Sequence, residues 1–284
     1  QLSDYQGVSS MGKLSLSGIP GLIYEAFYSA CMLPVKDYCG LAAMKLIKAA
    51  YLLIGLFSGV LLVFLLIKRV RKPSVGLFSL LLCAVFPVAV NFVVIMCPDS
   101  WIYTLMVYTF VLISYVPLIL LNQLTEDDKR SLWLVIVKKG IAVTLSVLAV
   151  CYAYQTNVNY TALYYANRQV ENYFSSIVTQ VRMADGFTPD MDWAFIGDIE
   201  DPLLSCYWEN AMTYDGAEFT QWLLNRYSWW DWIHNYYGYA IPTASDEKIS
   251  TLAQSDAVRS MPCWPADGSI QVVGDTVVIK CQEL

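Results

Sequence analysis

The chain has 284 residues, of which 57 % are hydrophobic and only 15 % are charged. It is too apolar for an ordinary soluble domain, and its net charge of −6 argues against a nucleic-acid partner. Eight scattered cysteines without a CxxC pair, and a single histidine, exclude a zinc-finger pattern; no metal site and no cofactor are expected, and metal dependence is left open.

Residues 1–48 read as an extracytoplasmic loop. The start at Gln1 fits either a trimmed piece or a natural protein that continues upstream with further spans; the loop-like character of this stretch favours the second. Within it, Ser17-Gly18-Ile19-Pro20 opens a short helix from Pro20 to Leu33, with Ser17 or Gly18 as its cap. Ile19, Leu22, Ile23, Ala26, Phe27, Ala30 and Leu33 fall on one face. Such a helix lies in the membrane interface or forms a lid over a cavity.

Four apolar runs follow, in residues 49–158: Ala49 to Ile67, Val75 to Met96, Trp101 to Leu121, and Gly140 to about Val158. Each is long enough to cross a bilayer. Pro87 and Pro117 are expected to kink their spans, with Asn91 capping a broken turn or lining a polar cavity. Lys68, Arg69, Arg71 and Lys72 follow the first run, and Lys129, Arg130, Lys138 and Lys139 precede the fourth. The loop after the second run has no basic residue, so the two basic loops are expected in the cytoplasm and both ends of the chain outside.

From Gln155 onward there are 17 acidic and 6 basic residues, as befits a solvated extracytoplasmic domain over residues 159–284. A helical stripe (Leu163, Ala166, Val170, Phe174, Ile177, Val181) ends near Asp185-Gly186. Asp192 to Ile196 reads as a buried strand; Glu218 to Arg226 and Asp246 to Gln254 read as helices. Ser269 to Val273 and Thr276 to Lys280 form a hairpin about Gly274-Asp275. The aromatic run from Tyr227 to Tyr239 fits core packing, an interface belt or a platform for sugar rings. Cys206, Cys263 and Cys281 leave a disulfide possible but unassigned. His234 has no paired nucleophile and is no catalytic signature.

Phe187 to Asp198 (FTPDMDWAFIGD) and Met261 to Lys280 (MPCWPADGSIQVVGDTVVIK) resemble the C-terminal end of the bacterial GtrII-like glucosyltransferases, as do Ser9, Met11, Gly12, Lys13 and residues 14–17 an external loop of that family. The fold class expected is membrane α-helical, with four transmembrane helices and a C-terminal extracytoplasmic α/β domain. The resemblance makes it part of a larger lipid-dependent, GT-C-like transferase in the bacterial plasma membrane. It implies transfer of a glucosyl unit from a polyprenyl-phosphate sugar to a cell-surface glycan, within a lipid bilayer. The catalytic acids are expected in an early loop upstream of Gln1. Within the chain, Lys13, Lys45 and Lys48 are candidates for the lipid phosphate, and Asp4 and Glu25 are weaker acid candidates. The rival reading is a non-enzymatic transporter subunit or sensor whose external domain binds glycan.

Overall fold

A computed structural model of the chain describes residues 15–69, 72–98, 102, 104–124, 131–197 and 228–283. The described residues divide into one unit up to Asn159 and a second from Tyr160 onward. The helix expected at Glu218 to Arg226 lies outside the described residues, as do Lys13, Asp4 and Cys206.

The first unit is helical. Helix α1 (Ile19–Met32) starts after Gly18, and Pro20 sits in its first turn. Ala26, Ala30 and the following Leu33 are buried where α1 packs on α3 (Pro73–Val90) and α4 (Val93–Met96). Ile23 and Phe27, expected on the same face, are instead exposed beside Tyr24 and Tyr28. Helices α2 (Lys45–Arg69), α3 and α6 (Leu132–Met183) are long and apolar enough to cross a membrane. Leu77, Phe78, Leu80, Leu81 and Leu82 of α3 stand exposed, a surface suited to lipid rather than water.

The second and third runs are more broken than their composition suggests. The second stops as a long helix at Val90, three residues past Pro87, and Asn91 turns the chain into α4. The third opens as a 3-10 stretch (Thr104–Phe110) interrupted at Val107, and only then becomes α5 (Val111–Asn122). The hydroxyl of Thr109 donates to the carbonyl of Val90, supplying a donor at the helix end beyond Pro87. The apolar helical stretch here, Met106–Asn122, is shorter than the three spans. Elsewhere Ser58, Ser79 and Thr144 return their hydroxyls to the carbonyl four residues back, which hides them inside apolar helices. Two clusters hold the unit together. One gathers Ile47, Tyr51, Ile54, Val90, Phe110 and Leu148; the other gathers Leu61, Leu65, Leu124, Leu134 and Ile141.

The second unit has three layers around a small sheet. Strands β1 (Asp192–Ile196), β2 (Ile270–Val273) and β3 (Thr276–Lys280) lie in the order β1-β3-β2. The expected hairpin forms, with Val273 opposite Thr276, and β3 is also parallel to β1, with Ile196 opposite Lys280. Alternation along the strands sends Trp193, Phe195, Val277 and Ile279 to one side, where Val170, Phe174, Ile177 and Val181 of α6 meet them. Ala194, Ile196 and Val278 go to the other side, against Val258 and Met261 and beside α8 (Asp246–Gln254) and α9 (Asp256–Arg259). The aromatic run forms α7 (Ser228–Asp231) and a π-turn (Trp232–Tyr236). Its Trp229 stacks on Phe195 with ring centres 4.3 Å apart and Ile233 is fully buried, so much of the run is core. His234 stacks on Trp230 at 4.3 Å. Cys263 and Cys281 are free thiols.

Lys248 of α8 binds Asp192 at 2.7 Å and Asp275 at 2.9 Å, tying the start of β1 to the hairpin turn. The hydrogen bond from Lys248 holds the Asp275 carboxyl below the usual range, and the two carboxylates raise the Lys248 ammonium above its own. A depressed carboxyl contributes stability above its unfolded pKa and loses it as pH falls through the folded one. A raised ammonium contributes below its unfolded pKa and loses it as pH rises through the folded one. The denaturation midpoint is therefore expected to fall below about pH 4. Lys248→Met should remove part of that slope; an identical pH profile in the variant would refute the assignment.

Candidate functional site

The turn-rich segment between α1 and α2 is anchored by side chains from distant elements. Asp37 accepts the Ala42 N–H at 2.8 Å and closes the segment on itself. Tyr38 and Asn91 exchange hydrogen bonds at 3.2 and 3.4 Å. Cys39 adopts the left-handed region (φ 51°), and its thiol donates to the Ile102 carbonyl at 3.5 Å. Gln155 of α6 donates to the Gly40 carbonyl at 2.8 Å. Tyr152 donates to the Leu41 carbonyl at 2.9 Å, and its hydroxyl also meets that of Tyr51 at 2.8 Å. Burial pushes the Tyr38 hydroxyl up to about 12, with smaller contributions from the charges of Cys39 and Glu25, against the Asn91 hydrogen bond.

Two amide side chains of α6 at this level have buried atoms without a partner among the described residues. Gln155 is 1 % exposed, and its Oε1 has no partner among the described residues. Asn159, one turn on, is 6 % exposed and neither of its amide atoms is partnered there. An unmet buried polar group costs about 1–3 kcal/mol, so a hydroxyl-bearing ligand or a water would be favoured at either. The sequence carries polar residues on one helical face here: Tyr152 and Gln155 interrupt the fourth apolar run, and Asn159 follows it.

Lys45 and Lys48 open α2, Lys45 exposed and Lys48 half-buried. The first turn contains no acid, and Met44, whose carbonyl accepts the Lys48 N–H, has no oxygen with which to cap it. Two cations at the positive end of a helix dipole are mutually unfavourable and together attract an anion. Glu25 is exposed on α1, and its charge reaches Tyr38. Asp37 is occupied by the Ala42 N–H. In the second unit, exposed Arg168 is paired with Glu171 at 2.6 Å.

Helices long and apolar enough to cross a membrane, a pinned segment beside the unpaired Gln155 amide oxygen, and a helix that starts with two lysines characterise this unit. The family model for glucosyl transferase GtrII matches residues 1–114, so this N-terminal part of the chain is similar to that family. The match covers α1, the pinned segment, α2, α3 and α4. It includes the external-loop residues 9–17 that resemble the family and does not extend to Phe187–Asp198 or Met261–Lys280 in the second unit. Comparison with curated proteins and with solved structures gives no match.

Proposed function

We propose that the chain is part of a membrane glucosyltransferase that takes a glucosyl unit from a polyprenyl-phosphate donor and passes it to a cell-surface polysaccharide in the extracytoplasmic space. The observation that carries this reading is the GtrII match over residues 1–114. Three helices of spanning length, and the basic residues after α2 and before α6, support a multi-pass protein with Lys45 and Lys48 at the outer surface. There the two ammonium groups would meet the donor phosphate and stabilise it as the anomeric C–O bond breaks and the phosphate departs. Lys13, in the same loop, is a third cation for this role. A carboxylate acting as general base must take the proton of the acceptor hydroxyl; Glu25 and Asp4 are the candidates within this chain.

The donor side is tested by release of free polyprenyl phosphate from polyprenyl-phosphate glucose by the full-length protein. The Lys45→Ala, Lys48→Ala double variant is expected to raise the donor KM by about tenfold or more, since each lost charge contact is worth on the order of 1 kcal/mol. Adding Lys13→Ala should raise it further. Unchanged donor KM in the triple variant would remove these lysines from the site.

A further inference from the structure

The last turns of α6 border two open clefts in the second unit that no part of the proposed donor chemistry uses. The first, of about 270 Å³, lies between α6 and the residues after the π-turn. Its walls include Arg182, Tyr237 and Tyr239. The second, of about 660 Å³, lies between the end of α6 and the segment leading into β2, with Asp267 and Gln271 on its wall. Met183 lines both and is 77 % exposed, so the clefts adjoin at one flexible side chain. Their sizes bracket the lower range of small-molecule sites.

The side chains there are poised rather than consumed. Arg168 is neutralised by Glu171, whereas Arg182, about four turns further along the helix, has no ion pair among the described residues. The Tyr237 hydroxyl is held by Ser175 at 2.7 Å and donates to the Glu171 carbonyl, which fixes the ring. Tyr239 stacks on it at 6.3 Å with planes 14° apart and is 42 % exposed. In the second cleft, Gln271 spends an N–H on the Gly268 carbonyl at 2.9 Å, leaving its oxygen to accept. Asp267 has no ion pair among the described residues.

A fixed aromatic platform suits the C–H face of a pyranose ring, and a guanidinium, a carboxylate and an amide oxygen suit its hydroxyls. We infer that the two clefts form adjoining subsites for a neutral oligosaccharide, the first built on Arg182, Tyr237 and Tyr239 and the second on Asp267 and Gln271. The carboxylate makes a polyanionic glycan a poor fit. This assigns the acceptor side of the proposed transfer and rests on that reading for its biological role.

The test uses the full-length protein in detergent. The probe is the neutral oligosaccharide fraction released by mild acid from the surface polysaccharide of the producing cell, alongside the same fraction oxidised at its primary alcohols to uronates. Binding is followed calorimetrically. The neutral fraction should bind more tightly than the oxidised one, and Arg182→Ala, Tyr239→Ala and Asp267→Asn should each weaken it by about tenfold at an unchanged thermal midpoint. In the transfer assay the same variants should raise acceptor KM and leave kcat in place. No binding of the neutral fraction, tighter binding of the oxidised one, or wild-type affinity in all three variants would overturn the inference. Binding as expected without any glucosyl transfer by the wild-type protein would leave the clefts as a glycan site and reject the transferase reading.

Discussion

Lys280→Met is expected to cost the second unit about 3 kcal/mol, the balance of losing donors to buried carbonyls and no longer burying a charge. The Lys280 side chain is 1 % exposed, in the central strand of the sheet. Its ammonium donates to the carbonyls of Met261 at 2.7 Å and Arg259 at 3.0 Å, with Glu283 at 3.4 Å. It thus fastens the end of α9 and the start of the closing segment to β3. Methionine keeps the length of the side chain, so the loss reports the missing donors rather than a cavity. Proteolytic susceptibility of the second unit and its unfolding free energy should both shift; an unfolding free energy within a few tenths of a kcal/mol of wild type would show that the carbonyls need no donor.

Gly197→Ala is the second large effect. Gly197 follows β1 directly at φ +85°, and a Cβ there would stand 2.5 Å from Gln282 Cβ and 3.0 Å from the Gln282 backbone nitrogen. The neighbouring strand cannot simply retreat, because the Cys281 N–H donates to the Ile196 carbonyl at 2.8 Å. Left-handed strain of about 1–2 kcal/mol adds to an overpacking cost of about 1–3 kcal/mol, giving about 3 kcal/mol in all. Gly274, at φ +65° in the hairpin turn, has nothing within 4 Å of the same position. Gly274→Ala should therefore cost only the backbone part, about 1 kcal/mol. Equal losses in the two variants, measured by denaturant unfolding, would contradict the contact with Gln282.

What the sequence made legible was periodic. The α6 stripe at Ala166, Val170, Phe174, Ile177 and Val181 is fully buried, with its first expected member, Leu163, only half-buried, and strand and helix bounds at Asp192–Ile196 and Asp246–Gln254 follow the pattern. Non-local pairing was not legible. A hairpin announces itself through Gly274-Asp275, but nothing local says that β1 joins it in parallel, or that Lys280 is inside as a consequence. The broken third run was hidden for a similar reason: its composition is apolar throughout, and the break at Val107 goes with a tertiary hydrogen bond from Thr109 to the Val90 carbonyl. Of the candidate site, Lys45 and Lys48 were legible as flanking cations. Tyr152 and Gln155 stand out as polar positions on one face of α6, but their anchoring role was not legible, because their partners are backbone carbonyls more than a hundred residues away.

The central claim is glucosyl transfer, and it is tested most directly on the product. The surface polysaccharide of cells lacking the full-length protein is compared with that of cells in which it has been restored, by mass analysis and sugar composition. Restoration is predicted to add glucosyl residues to the polysaccharide, in an amount that falls when Lys45 and Lys48 are both replaced by alanine. An unchanged polysaccharide, with the protein present in the membrane and polyprenyl-phosphate glucose available, would contradict the account.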